Sequence, residues 1–308
     1  MSALDELRRI RSGTRGSSRK RDNRAALVFL GPWFGGLFLI TLGPVAASLV
    51  LGFTHYNLIQ PPEFNGVDNL TRMLSDERLH HALRVTFTYV VVSVPVQLAC
   101  ALGLAMLLDR GLRGMAFYRS AFYLPSLLGS SVAIAVLWRQ IFGADGLVNQ
   151  LLDAVGIEGR GWISDPSTAL STLIVLNVWT FGAPMIIFLA GLRQIPVMYY
   201  EAAQIDGAGK WTQFSRITLP LLSPIIFFNL VLQIIHAFQS FTQAFVVSGG
   251  SGGPSDSTLF YTLYLYQRGF NSFDMGYASA LAWLLLVIIA AFTAVNFWAA
   301  RYWVFYND

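Results

Sequence analysis

Six apolar runs, at about 27–54, 85–108, 120–141, 169–191, 222–247 and 276–300, alternate with polar segments along this chain of 308 residues. Each is long enough for a helix to cross the hydrocarbon core of a bilayer, which takes roughly 20 residues. In lipid a backbone must satisfy its own polar groups, so runs of this length predict helices. The expected fold is an all-α integral membrane protein with six transmembrane helices over 27–301, between a basic tail at 1–26 and a short end at 302–308. The gap after the fourth run is the most structured. Pro196 suits the first turn of a new helix, which predicts a short helix from Val197 to about Ile205. Gly207 is placed to end it in a left-handed turn, with a second helix starting near Lys210.

Composition agrees with the pattern. The chain is 55% hydrophobic and 12% charged, with a mean hydropathy of +0.53, whereas soluble domains carry about 25% charged residues. Cation placement then gives orientation. Arg8, Arg9, Arg11, Arg15, Arg19, Lys20, Arg21 and Arg24 share one side of the membrane with Arg110, Arg113, Arg119, Arg193, Lys210, Arg216 and Arg301. Only Arg72, Arg78, Arg84, Arg139, Arg160 and Arg268 fall on the other. The bias puts both termini and the Glu201 loop in the cytoplasm. The first run is too long for a signal-peptide core of about 7 to 15 residues and reads as a retained helix. Net charge is +4, but the excess lies in the tail beside the membrane, where anionic lipid accounts for it without nucleic acid.

Several function classes find no support in the residues. Cys100 is the only cysteine; mid-span among Ala and Leu, it lacks the polar surroundings that activate a thiol. His55, His80 and His81 do not make the i, i+4 chelating face of a helical metal site. A phosphate-binding loop needs GxxxxGK followed by Ser or Thr; the nearest string ends Gly209-Lys210-Trp211 and has Gln204 where the first glycine belongs. The Gly-rich stretch Gly249–Asp256 has no lysine. No Asp or Glu lies in any of the six runs, which disfavours proton or sodium coupling through intramembrane carboxylates, although backbone carbonyls leave a sodium-driven carrier open. The energy for transport is therefore expected from another chain.

Polar residues inside the runs mark a pathway. Asn229, Gln233, His236, Gln239, Ser240 and Gln243 in the fifth run occupy one arc if the helix is continuous at about 100° per residue. Such an arc either glues helices together or lines a cavity. Amides, which donate and accept at once, suit the vicinal hydroxyls of a sugar. In the fourth run Asn177, Trp179, Thr180 and Phe181 precede Gly182-Ala183-Pro184, a predicted kink.

The segment from Glu201 to Pro220 resembles the cytoplasmic docking loop of bacterial ABC importer permeases. Glu201-Ala202-Ala203, Gly207, Ile217 and Leu219-Pro220 fall at that family's spacing. The resemblance extends over about 240 residues, through Gly66–Tyr89, the stretch around Pro125 and Trp162–Ala169, and is to the compact maltose/glycerol-3-phosphate type. It implies that Val197–Ile205 is a coupling helix, with Glu201, Ala202, Ala203, Asp206 and Gly207 docking an ATPase. It further implies a second, non-identical permease completing a heterodimer, two cytoplasmic ATPase subunits that hold ATP and Mg, and an extracytoplasmic sugar-binding protein touching the loops around Trp162 and 249–273. This chain itself would bind no cofactor or metal and hydrolyse nothing. Matching the Asn-x-Trp string and the Gly-Gly after the fifth run brings Asn177, His236 and Gln239 onto sugar-contacting positions, with Thr180, Phe181, Gln233 and Gln243 beside them. A mono- or oligosaccharide is the expected substrate, in the bacterial inner membrane. A glycerol-3-phosphate importer and an autonomous carrier are the alternatives.

Overall fold

The computed structural model describes residues 27–111 and 114–305; the basic tail, Arg113 and the final residues 306–308 lie outside them. Among the described residues four helices are long and apolar enough to cross a membrane, and counting each of two bent pairs as one span brings the number of candidate spans to six. Helix α1 (Leu27–Leu51) leads to a two-stranded antiparallel hairpin, β1 (Thr54–His55) with β2 (Glu63–Phe64), and to α2 (Asp68–Ser75). Then come α3 (Glu77–Asp109), α4 (Met115–Leu128), α5 (Val132–Ile141), α6 (Leu147–Ala154), α7 (Pro166–Trp179), α8 (Gly182–Leu192) and α9 (Val197–Ile205). The one-turn α10 (Lys210–Gln213) runs through a π-helical turn, Phe214–Thr218, into α11 (Leu219–Phe238), followed by α12 (Thr242–Val247), α13 (Tyr261–Tyr266) and α14 (Met275–Trp303).

Two π-helical turns sit just ahead of prolines. Leu37–Leu42 precedes Pro44, and Phe214–Thr218 precedes Pro220. Proline lacks the N–H that an α-turn would use; the wider turn pairs the Gly43 N–H with Phe38 O and the Leu219 N–H with Phe214 O.

Helix α3 is the hub. Its buried Val90, Val94, Gln97, Leu98, Ala101, Ala105 and Leu108 recur at helical spacing and pack against α7, α8 and α11. Small residues at 101 and 105 allow the close helix approach on which packing in lipid depends. Cys100 is exposed on the opposite face, so the sequence expectation of a thiol buried among Ala and Leu is corrected: Ala101 and Ala105 face inward and the sulfur faces out.

Two expected spans are not single helices. The run at 120–141 turns by 98° between α4 and α5, and the run at 169–191 bends by 41° between α7 and α8. Gly129-Ser130-Ser131 causes the first break, as Gly/Ser pairs do; the Ser131 side chain accepts from the Ile134 N–H at 3.3 Å and caps the new helix. The second break falls at Thr180–Phe181, just before the predicted Gly182-Ala183-Pro184 kink. The fifth run also breaks after Phe238, so a continuous helix does not generate the predicted polar arc.

At the end of the bundle that cation placement assigned to the outer side, the Asp76 side chain, 8% exposed, caps α3 and accepts hydrogen bonds from Tyr264 Oη and, at 2.8 Å, Tyr277 Oη. Arg268 lies 3.7 Å away. Arg72 pairs with Asp274 at 2.7 Å, and Arg78 grips Asp256 through two 2.8 Å bonds. This network ties α3 to α13 and α14. Burial pushes the Asp76 carboxyl up, but the hydrogen bonds from Tyr264, Tyr277 and the Leu79 N–H, with the Arg268 charge, outweigh it and hold the carboxyl below its usual range. A depressed folded-state value stabilises the protein above the unfolded value of about 3.9 and loses that contribution as pH falls through the folded value. Asp76→Ala is expected to destabilise by roughly 1.5–3 kcal/mol, the range for hydrogen bonds to charged groups. In urea denaturation at pH 7 in detergent its difference from native should appear, and it should shrink as pH drops below about 4.

Candidate functional site

Two surfaces collect the residues picked out by the sequence. The first is α9, bounded as predicted. Pro196 precedes its first turn, and its end is a complete left-handed cap: Gly207 has φ +76°, its N–H donates to Gln204 O at 3.1 Å, and the Ala208 N–H reaches back to Ala203 O at 2.8 Å. That paired pattern is the glycine helix stop. A Cβ at Gly207 would meet nothing within 4 Å, so backbone conformation alone asks for glycine there.

No residue of α9 is buried. Tyr200 holds the helix to the bundle, packing on the core and hydrogen bonding Thr218 Oγ1 at 2.9 Å. On the far side Met198, Ala202 and Ile205, at i, i+4 and i+7, form an exposed apolar stripe flanked by Glu201. Ile205 is 86% and Trp211 76% exposed. Ala203 is half-buried, while Asp206 and Gly207 are exposed at the tip. An apolar stripe on an otherwise polar connection is the anatomy of a helix that lies in a partner's groove.

The second surface is a cleft of about 460 Å³ where the three breaks meet. Asn177, Thr180, Gln233, His236, Gln239 and Gln243 all line it, together with Ser126, Gly129, Ser130, Ser240, Phe241 and Thr242. Phe181 does not; it turns to Phe122, with ring centroids 6.2 Å apart. Asn229, the first member of the predicted arc, is fully buried and donates to Ile225 O in its own helix at 3.1 Å. The break after Phe238, in place of continuous helical phase, brings Ser240 and Gln243 to the cleft.

Close packing builds the cleft floor. A Cβ on Gly182 would lie 2.3 Å from Phe122 O and 2.7 Å from Tyr123 Cα, and one on Gly129 would lie 2.1 Å from Thr180 Cγ2. Glycine at both places lets the break between α4 and α5 sit on the break between α7 and α8. Ser126 fastens them, its hydroxyl donating to Thr180 O at 2.7 Å and accepting the Ala183 N–H at 2.9 Å. Gln243 Nε2 donates to Gly129 O at 3.1 Å. Backbone groups freed by breaking a helix in lipid need such partners.

Behind the cleft wall lies Gln97 of α3, which the sequence analysis passed over. Its Nε2 donates to Thr180 Oγ1 at 3.0 Å, and Asn177 Nδ2 reaches its Oε1 at 3.5 Å. A lone amide in the apolar run VVVSVPVQLACALGLAM was the available signal. Ser126, Ser130 and Thr242 gave none, since isolated hydroxyls are ordinary in membrane helices.

Comparison with known proteins converges on one family. The profile described as "Binding-protein-dependent transport system inner membrane component" matches residues 85–303. The chain is 50% identical to the "Probable ABC transporter permease protein YesP" of Bacillus subtilis, covering 94% of this chain and 95% of that one. It is 34% identical to the "Lactose transport system permease protein LacF" of Rhizobium radiobacter, over 89% and 93% of the two chains. A solved bacterial ABC transporter that imports the acidic polysaccharide alginate shares the fold, with a TM-score of 0.79 at 22% identity over 92% of this chain and 97% of that one. A helical bundle with an exposed apolar stripe on α9 and a polar cleft among broken spans, matched over most of its length by that profile, belongs to the binding-protein-dependent inner membrane components: it is a multi-pass permease subunit of an ABC importer, and not itself an enzyme.

Proposed function

We propose that this chain is one of two non-identical permeases that together carry a mono- or oligosaccharide inward. The sugar is delivered by an extracytoplasmic binding protein, and transport is driven by two cytoplasmic ATPases that hold the ATP and Mg. The observation that carries the substrate class is the lining of the cleft: amides, hydroxyls, one imidazole and the ring of Phe241, with no Lys or Arg among the lining residues. A polyol phosphate would call for cations there. Neutral amides and hydroxyls pair with sugar hydroxyls, and the relative LacF is a lactose permease by name. In this reading both termini and α9 are cytoplasmic. Glu201, Ala202, Ala203, Asp206 and Gly207 dock the ATPase, whose closure tips α9 and shifts the cleft between inward- and outward-facing populations.

The test is ATP hydrolysis by the full complex in nanodiscs with its binding protein and a panel of neutral sugars, uronic acids and glycerol-3-phosphate. Stimulation by a neutral sugar supports the proposal, and stimulation by glycerol-3-phosphate alone would overturn the substrate class. Gln233→Leu and Gln239→Leu are each expected to raise the half-saturating sugar concentration for uptake about tenfold, the worth of one hydrogen bond of roughly 1.4 kcal/mol, with hydrolysis in the absence of sugar unchanged.

A further inference from the structure

We infer that Arg119 and Arg193 form a binding site for the phosphate headgroup of an anionic phospholipid, such as phosphatidylglycerol, in the leaflet on the α9 side of the membrane. The site lies where the end of α3, the start of α4 and the end of α8 meet. It is separate from the cleft and from α9, and it stands whatever solute the cleft carries.

Two guanidinium groups are drawn together here with too little negative charge between them. Arg119 Nη2 and Arg193 Nη2 each lie 3.0 Å from the sulfur of Met115, so the two nitrogens are no more than about 6 Å apart. A thioether is a weak, uncharged acceptor. The one carboxylate paired with either arginine among the described residues is that of Asp109, and it reaches Arg193 Nε only at 3.4 Å, beyond the roughly 2.7–2.9 Å of a charge-assisted bond. Arg119 Nε is buried with no hydrogen-bond partner among the described residues, whereas buried polar atoms are nearly always paired. The outer end of the bundle is built differently: Arg72, Arg78 and Arg268 each have a carboxylate of their own within 4.0 Å.

The surroundings say which anion fits. A phosphate offers several charged oxygens to guanidinium forks, and two donors this close can share one. The first turn of α4 has no acidic residue and no side-chain cap, so the helix dipole adds positive potential at the same point. Arg110 is exposed next to Asp109 at the end of α3. Phe117 and Tyr118 are exposed on the opening turns of α4, as aromatic residues at headgroup level are. Basic pockets between spans at this depth take anionic headgroups. Free phosphate has the same oxygens but no acyl chains to lie against exposed rings, so the surface favours the lipid. Arg193 stands four residues before Val197, where α9 begins, and a headgroup gripped there steadies the corner from which α9 projects.

The experiment titrates the full complex in detergent with phosphatidylglycerol, phosphatidylcholine or inorganic phosphate and counts the bound molecules by native mass spectrometry. Native complex should hold its tightest phosphatidylglycerol about 30-fold more firmly than phosphatidylcholine, since each arginine beside an anionic headgroup is worth about fivefold. Arg119→Gln and Arg193→Gln should each lower that advantage about fivefold. Arg216→Gln removes the same charge from another exposed position at the same end of the bundle and should keep the native ratio. Arg193 is 45% exposed, so its variant carries the test if Arg119→Gln fails to assemble. A native ratio near one, or an equal loss in Arg216→Gln, would overturn the inference and leave a diffuse attraction to a basic surface. Inorganic phosphate that binds as firmly as the lipid, and is lost in the same variants, would make this a free-anion site instead. Loss of the ATPase or the partner permease from the arginine variants, with the lipid ratio unchanged, would assign the arginines to a protein carboxylate.

Discussion

A complex carrying Ile205→Asp is expected to shed its ATPase subunits and to lose at least about 30-fold of its ATP-driven uptake, equivalent to a hot-spot loss of roughly 2 kcal/mol. Ile205 stands at the end of the Met198–Ala202–Ile205 stripe and is 86% exposed. The isolated chain should not notice the change, since exposed substitutions are usually within about 0.5 kcal/mol of neutral. In the proposed docking a carboxylate there must be desolvated as α9 enters the ATPase, so the penalty falls on docking alone. The measurement is co-purification of ATPase through a tag on this chain, beside uptake and the melting temperature of the permease. Full ATPase recovery with Ile205→Asp would place the docking surface elsewhere. Gly207→Val and Gly207→Asn supply a graded companion: the left-handed φ of +76° costs a β-branched residue about 1–2 kcal/mol and asparagine less, so uptake should fall in the order native, Asn, Val.

The second large effect is expected at Gly182, where adding one carbon should do more harm than the same change at Gly191. Both added Cβ atoms would overlap a neighbour at little over 2 Å. At Gly191 the first neighbour is the tip of Ile225, with Leu222 Cδ1 at 2.9 Å, and side-chain tips can rotate away. At Gly182 the neighbours are the backbone of Phe122 and Tyr123 at 2.3 and 2.7 Å, and only a shift of all of α4 can relieve them. Overpacking of that kind costs about 1–3 kcal/mol. It would also part Ser126 from Thr180 O and the Ala183 N–H, opening the floor of the cleft. Gly182→Ala should therefore lower both thermal stability and uptake, while Gly191→Ala should lose little of either. Equal tolerance at the two positions would mean that α4 and α8 do not touch in the working complex.

How much of this was readable beforehand differs from element to element. Apolar length fixed the existence of the spans, because lipid leaves a backbone few choices, and the boundaries of α9 followed from Pro196 and Gly207, two residues whose backbone preferences are local. The same local reasoning foresaw the bend before Pro184. It did not foresee the 98° turn at Gly129-Ser130-Ser131, since an apolar run with one glycine and two serines reads the same straight or broken; what holds it open is the distant contact of Gly129 with Thr180.

The cleft divides along the same line. Asn177, Thr180, Gln233, His236, Gln239 and Gln243 declared themselves as polar residues in apolar runs, and the structure gathers all six. Asn229 shared that signal, and Phe181 was picked out beside the Asn-x-Trp string; both point away, because which side of a helix faces a neighbour depends on the neighbour. Gln97 carried the same kind of signal on another span, and only the tertiary structure joins it to Asn177 and Thr180. The sequence by itself determined what each residue can do and where the chain must be helical, for those follow from side-chain chemistry and from a solvent that cannot hydrogen bond. Tertiary structure alone decided which of those capacities meet, because contacts between spans that lie 80 residues apart depend on packing that no local pattern encodes.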